Sequence, residues 1–217
     1  VFDANRPSLD YIANNMYFRH NVNKDSKRMR GTIGCFSSHY TVLKNCVERK
    51  LKNILILEDD AILDSCDGKI PDNLPTDGAC LLGGWIAHPN NWAKHANWKK
   101  KEKHIIIDSF KKGLNKIDYS KFRFCGTWAV WWPDWTYCKK LVDYIDKWIK
   151  DGHKLRPFDI MTTKSKIVKY LWYPSVFTAD DTKTGSSIQN SIQGVCKDYY
   201  YHDRRKSSTT SVVQDTC

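Results

Sequence analysis

A short run of apolar residues that leads directly into three carboxylates is the most regular pattern in the chain. Ile54 to Leu57 are all apolar, and Glu58, Asp59 and Asp60 follow at once. The run is too short for a buried helix and turn residues come after it, so it predicts a strand buried on both faces. The acids then lie at the carboxyl end of this strand, where ligands bind in open α/β sheets.

Adjacent carboxylates such as these repel one another, and two interpretations follow. A divalent cation would relieve the repulsion and could hold a phosphate, which indicates a metal and nucleotide site. The alternative is a solvated acidic turn that only ends the strand. The run by itself favours neither interpretation.

Helical and strand-like patterns follow one another along the rest of the chain. Apolar residues at spacings of four, three and four, from Phe36 to Val47, predict a helix that runs to about residue 49. Another apolar stripe predicts a helix that starts at Pro133-Asp134 and ends at Asp151-Gly152. Further strands are predicted at 79–85, 104–108, 122–132 and 168–172, and further short helices at 6–18 and from residue 156.

The order of these elements indicates an α/β protein with one domain over residues 1–217, in which 203–217 form a loop-like tail. No apolar run approaches the roughly 20 residues that span a bilayer, so no membrane span is expected. No targeting segment is visible, which favours the cytoplasm, with a lumenal domain of a longer protein as the alternative. Oligomeric state is not indicated by any pattern.

The net positive charge of the chain favours anionic partners. The chain has 35 Lys and Arg against 24 Asp and Glu, a formal net charge of +11, which suits nucleic acid, phosphorylated small molecules or acidic surfaces. A basic nucleic-acid-binding module is therefore one hypothesis. The basic residues are scattered, however, and an acidic cluster has no role in plain phosphate binding, so nucleic acid is an unfavoured partner.

The eight cysteines show no spacing that is typical of a zinc site. Cys35, Cys46, Cys125 and Cys138 lie among apolar residues and are predicted to be small core residues. His39 is interpreted as a hydrogen-bonded, partly buried histidine rather than as a catalyst or ligand.

Six short motifs stand in order between about residues 30 and 189. They are Gly31-Thr32-Ile33-Gly34-Cys35-Phe36-Ser37-Ser38-His39, Leu57-Glu58-Asp59-Asp60, Leu82-Gly83-Gly84, Gly126-Thr127-Trp128, Pro157-Phe158-Asp159, and Tyr173-Pro174 with the Ser-rich segment 185–188. Together they resemble family 25 glycosyltransferases, the group of bacterial lipooligosaccharide glycosyltransferases and collagen galactosyltransferases. Two features depart from the family pattern: only about thirty residues precede the first motif, and the acids read Glu-x-Asp instead of Asp-x-Asp.

The resemblance implies a single GT-A, Rossmann-like domain with a mostly parallel central sheet flanked by helices. It also implies inverting transfer of a hexose from a nucleoside-diphosphate sugar, a UDP-sugar foremost, to a hydroxyl of a glycan or glycoprotein acceptor. A third hypothesis is a degenerate relative that binds glycans without catalysis.

The resemblance further implies where the donor and a divalent metal, Mn²⁺ or Mg²⁺, would bind. Asp60 is the expected metal ligand, with Glu58 and Asp59 near the ribose or the metal waters. The donor is also expected to contact three residues outside the acidic run, Gly83, Gly84 and Arg30.

Asp159 is the candidate catalytic base, because the matching family motif places an acid near the acceptor. Inverting displacement needs a base on the face of the sugar opposite the leaving group. The alternative role for Asp159 is that of an acid in the first turn of a helix, where the helix dipole favours an anion. Asp180 and Asp181 are rival bases or further metal ligands.

Overall fold

The computed structural model describes residues 27–64, 68–87 and 108–179, without the side chains of residues 27–30, 85 and 87. The helices in these ranges are α1 (Lys27–Glu48), α2 (Trp135–Lys150) and α3 (Phe158–Ser165). The strands are β1 (Lys52–Leu57), β2 (Ala61–Leu63), β3 (Ala79–Ala87), β4 (Gly113–Lys116), β5 (Arg123–Asp134), β6 (Val168–Tyr173) and β7 (Phe177–Ala179). The predicted helix at 6–18, the tail, Asp180 and Asp181 lie outside the described residues, as do residues 104–107 of the strand predicted at 104–108. Asp108, the last residue of that predicted strand, has a helical backbone.

Five of the described strands form one sheet in the order β1-β5-β3-β6-β4, and β2 pairs with β7 in a second, two-stranded sheet. The α/β class is confirmed. The expected mostly parallel arrangement is corrected for these strands, because β3 and β6 alone form a parallel pair. The long strand β5 lies between β1 and β3 and runs antiparallel to both, and β4 is antiparallel to β6.

Apolar clusters cover both faces of the larger sheet. The main core joins the helices to one face, through residues such as Leu43, Leu81 and Leu141. A smaller cluster on the other face contains Leu82 and Phe177 and reaches β7. Alternation of neighbouring side chains between the two faces explains why β3 is buried along most of its length. None of the helices in the described ranges is long and apolar enough to cross a membrane.

β1 confirms the strand predicted before the acidic run, with one correction. Ile54 and Ile56 are buried in the main core, and Leu55 packs partly against the smaller cluster. Leu57, however, is 46% exposed, so burial on both faces does not extend to the end of the strand. Among the described strands β1 lies at the edge of the sheet, where its last residue has less cover.

The predicted start and apolar stripe of α2 are also confirmed. Asp134 caps the helix, since its carboxylate accepts a 2.7 Å hydrogen bond from the backbone N–H of Thr136. Cys138, Leu141 and Ile145 are fully buried along one face. α1 begins at Lys27, well before the predicted apolar face, because the small residues that precede Phe36 also continue the helix.

β5 contains a bulge that bears directly on function. Between the paired residues Gly83–Ala129 and Trp85–Cys125, β3 has the single residue Gly84, whereas β5 has three, residues 126–128. Gly126 has a φ of +70°, which glycine adopts without a steric penalty. Bulges of this kind bend a strand and redirect its side chains, often beside an active site.

We expect Gly84→Ala to destabilise the fold by about 1–3 kcal/mol, because overpacking a tight site costs this much. An added Cβ at Gly84 would lie 2.9 Å from the carbonyl oxygen of Gly126 and 3.1 Å from that of Cys125, and neither backbone atom can move freely. Urea unfolding measures the change. The control is Gly78→Ala, whose Cβ would meet only side-chain atoms of the exposed Lys169 among its three nearest contacts, at 2.7 Å from Cδ and 3.0 Å from Cβ and Cγ, so that a smaller loss is expected there. Equal losses in both variants would contradict the steric role of the bulge.

Candidate active site

Glu58 is the first carboxylate after β1, and contacts from two sides hold it. Its backbone N–H donates to the carbonyl oxygen of Trp128 at 2.8 Å. Its Oε1 accepts a 3.0 Å hydrogen bond from Thr127 Oγ1, and His39 Nε2 lies 3.3 Å from the same oxygen. The bulge of β5 and the helix α1 therefore fix this carboxylate together.

His39 and Cys35 present their side chains to the same end of β1. They are four residues apart on α1 and so lie on one face of the helix. His39 is buried, and its ring stacks on Phe158 with 4.2 Å between ring centroids, in agreement with its interpretation as a bonded, buried histidine. The thiol sulfur of Cys35 lies with His39 and Glu58 in a group whose ligand atoms are all within 4.8 Å of one another.

The prediction that the four cysteines are core residues is confirmed for three of them and corrected for Cys35. Cys46, Cys125 and Cys138 are buried. Cys35 is half-buried and lies beside the Glu58 carboxylate, because it is one turn before His39 on the same face of α1.

Asp159 lies in the first turn of α3 and is bonded to the bulge of β5. Its Oδ2 accepts from the backbone N–H of Gly126 at 3.2 Å, and its Oδ1 accepts from the N–H of Ile160 at 2.8 Å. Burial raises the pKa of Asp159 above its ordinary value, the two N–H donors oppose this, and the charge of Glu58 raises it further. An acid that only stabilises the start of a helix would not need a hydrogen bond to a distant strand. The bond to Gly126 therefore favours a role for Asp159 beyond the helix start.

Asp59 and Asp60 form the turn that follows Glu58. Asp59 is exposed and Asp60 is half-buried, and the N–H of Ala61 closes the turn by donating to the carbonyl oxygen of Glu58 at 3.1 Å. Burial raises the pKa of the Cys35 thiol well above its ordinary value, and the charges of four acids raise it further: Glu58, Asp159, Asp60 and Asp59, in that order. The structure thus brings all four predicted acids into the neighbourhood of one thiol.

The remaining predicted site residues lie in or near the sheet. Gly83 and Gly84 occupy the middle of β3, and Gly83 has its own packing reason, since an added Cβ would lie 2.9 Å from the carbonyl oxygen of Phe177. Their contact with a donor stays a prediction. Arg30 is in the first turns of α1, but its side chain is outside the described part of the chain, so its donor contact also stays a prediction.

A hard divalent cation fits the carboxyl end of β1 by its donor chemistry. Glu58, Asp59 and Asp60 supply carboxylate oxygens, the ligands that Mg²⁺ and Mn²⁺ prefer. Their charges, with that of Asp159, act together on a neighbouring thiol, so the region carries a negative potential that a cation would relieve. Asp60 would hold the ion, with Glu58 or Asp59 near the ribose or the metal waters, and the ion would supply positive charge to a bound phosphate.

Two residues of the site were not assigned a role from the sequence. Thr127 bonds Glu58, and its Gly-Thr motif was the signal that pointed to it. Cys35 joins His39 and Glu58, and the spacing of four residues on a predicted helix was a signal for this pair.

Comparison with known proteins finds a match over the region that contains the acids after β1. The model of "Glycosyltransferase family 25 (LPS biosynthesis protein)" matches residues 2–151, a range that contains the predicted site residues except Asp159 and its rivals Asp180 and Asp181. Human procollagen galactosyltransferase 2 is 55% identical over 31 residues, which are 14% of this chain and 5% of that protein. The matched segment is therefore a small fraction of that relative's length. No solved structure matches the chain.

The family match covers well over half of the sequence, 150 of 217 residues. It includes the Gly-Cys-x-x-Ser-His helix, the acidic run after β1 and the glycines of β3, which carried the resemblance. The predicted family and its enzyme class are thereby confirmed: the chain belongs to glycosyltransferase family 25.

Proposed function

We propose that this chain is a metal-dependent, inverting hexosyltransferase that uses a nucleoside-diphosphate sugar as donor and a glycan or glycoprotein hydroxyl as acceptor. One observation carries the proposal: two carboxylates from distant parts of the chain are held by neighbouring residues of one bulge. Thr127 Oγ1 donates to Glu58, and the N–H of Gly126 donates to Asp159. A site with separate acids for donor and acceptor is what inverting transfer requires.

On the donor side, the chain must bind a diphosphate and stabilise the charge that develops as the sugar bond breaks. A divalent cation at Asp60, when bound, would supply the positive charge for this step. Glu58 is oriented for the same region by Thr127 and His39. Held in this way, Glu58 needs little reorganisation when the donor binds.

On the acceptor side, Asp159 would remove the proton of the attacking hydroxyl. Its Oδ1 and Oδ2 are oriented by the N–H groups of Ile160 and Gly126, which fix the carboxylate without protonating it. Burial raises its pKa toward the operating range, which strengthens it as a base.

The donor class and the GT-A fold follow from the family and are supported by the architecture. Acids lie at the carboxyl end of β1, beside an α/β sheet covered by helices on one face. Because the human relative is a procollagen galactosyltransferase, UDP-galactose is the first donor to test.

The rate of transfer is expected to fall as the pH falls through a pKa higher than 3.8, the ordinary value for aspartate. Asp159 accepts a proton only when it is ionised, and burial raises its pKa, so the acid limb of kcat shifts upward. The effect on stability has the opposite sign: with a folded pKa above the unfolded one, the stabilising contribution is full below the unfolded pKa and is lost as the pH rises through the folded pKa. The measurement is kcat against pH, with circular dichroism to verify folding at each point. An acid limb at or below 3.8 would contradict the assignment.

The stereochemistry of transfer tests the proposal as an inverting reaction. The chain would be incubated with α-linked UDP-sugars, Mn²⁺ and simple glycoside or hydroxyl-bearing peptide acceptors, and the anomeric configuration of the product would be read by proton NMR. Single displacement predicts a β-linked product. An α-linked product would reject inversion, and donor binding without any transfer to a panel of acceptors would favour the degenerate glycan-binding relative.

A further inference from the structure

The group formed by Cys35, His39 and Glu58 has the composition of a metal site that differs from the oxygen-rich site at Asp60. Two of its members are four residues apart on α1, and the third comes from the end of β1. The sulfur, the imidazole nitrogen and the carboxylate oxygen all lie within 4.8 Å of one another. We propose that these three residues bind a transition metal of the Zn²⁺ class.

The distances suit a tetrahedral ion. Bonds of about 2.0–2.3 Å in tetrahedral geometry place ligand atoms roughly 3.3–3.6 Å apart. Glu58 Oε1 and His39 Nε2 are already 3.3 Å apart. The sulfur of Cys35 is within 4.8 Å of both, so a side-chain movement on the order of 1 Å completes three of the four positions.

The donor atoms decide which metal is favoured. Thiolate and imidazole are ligands that Zn²⁺ and Co²⁺ take readily, whereas Mg²⁺ prefers oxygen throughout. Three protein ligands leave a fourth position open to water or a small molecule, as in zinc sites that are not purely structural. The site therefore selects against the hard cation that the proposed transferase uses.

Neighbouring groups already position two of the three ligands. The ring of His39 stacks on Phe158 with an angle of 9° between the planes, which restricts its rotation. Glu58 is held through Thr127 Oγ1. Contacts of this kind orient metal ligands in known sites.

Cobalt spectroscopy tests the proposal without any measurement of transfer. After treatment with EDTA and dialysis, the chain would be titrated with Co²⁺ and then with Zn²⁺. We expect a thiolate-to-Co²⁺ charge-transfer band and tetrahedral d–d bands that Zn²⁺ displaces. Cys35→Ser should abolish the charge-transfer band. His39→Gln should keep the band but weaken Co²⁺ affinity by more than about tenfold, because removing a direct ligand costs at least as much as removing an outer contact.

Two matched controls separate this site from others in the chain. Cys80→Ala removes a buried thiol on β3 and should leave the spectrum unchanged. Asp60→Asn impairs the hard-cation site of the proposed transferase and should also keep the charge-transfer band. Absence of the band in the wild-type chain, or its full persistence in Cys35→Ser, would overturn the proposal. The wild-type spectrum alone can overturn the proposal, so the test remains decisive even if a variant fails to fold.

Discussion

Asp159→Asn is expected to lower kcat by about 10²–10⁴-fold, the range attributed to a positioned general base. The carboxylate is fixed on both oxygens by backbone donors, and its raised pKa makes it a stronger base than an exposed aspartate. Asparagine keeps an oxygen that can accept from Ile160 but cannot take up a proton. The KM for the donor should change little, because the residue serves the acceptor side.

The folding of this variant can be judged separately from its chemistry. Asparagine turns an N–H₂ group toward the N–H of Gly126, so the 3.2 Å bond is lost and that donor is left unpaired, at a cost of about 1–3 kcal/mol of stability; it also removes the desolvation cost of a half-buried charge. Asp143→Asn is the matched control, since Asp143 is an exposed helical acid that pairs with Lys139 at 2.7 Å. A folded Asp159→Asn enzyme with more than a tenth of the wild-type kcat would remove Asp159 as the base.

Asp60→Asn is expected to lower kcat/KM by about 10²–10³-fold at low metal concentration, the cost of losing one preorganised electrostatic contact. Asparagine retains a neutral oxygen, so the ion binds more weakly but the turn after Glu58 is kept. Excess Mn²⁺ should therefore restore part of the activity. Titration of initial rates with Mn²⁺ gives the apparent metal affinity of each variant.

Asp72→Asn provides the control for this substitution, because Asp72 is an exposed acid in the loop before β3. It should titrate with Mn²⁺ as the wild-type chain does. An Asp60→Asn enzyme with unchanged metal affinity would locate the metal away from the end of β1, and unchanged activity in EDTA would remove the metal from the reaction.

Those parts of the fold that depend on local pattern could be predicted from the sequence. The apolar run before Glu58 became β1, and the cap at Asp134 with its apolar stripe became α2. Strand direction could not be predicted, because the aromatic run of β5 is compatible with parallel or antiparallel pairing and only its long-range partners decide. β2 and β7 have three residues each, which is too short for a periodic signal.

The candidate site was predictable residue by residue but not as an arrangement. Glu58 and Asp159 were selected from separate motifs, whereas their common attachment depends on the extra residues of β5, visible only in the register with β3. Cys35 was predicted to be a core residue because it lies among apolar residues, and its distance in sequence from other Cys and His residues does not match a typical zinc motif. The third member of the group with Cys35 and His39 is Glu58, which follows β1, so the group could not be seen from spacing along one helix.

Release of nucleoside diphosphate is the measurement that tests the central claim most directly. The purified chain would be incubated with a panel of nucleotide sugars, UDP-galactose first, with Mn²⁺, with Mg²⁺ and with EDTA, alongside Asp60→Asn and Asp72→Asn. A metal-dependent transferase predicts release from one donor that EDTA stops, that added metal restores, that Asp72→Asn keeps and that Asp60→Asn largely loses. Neither release nor binding of any donor, in a chain shown to be folded, would contradict the account.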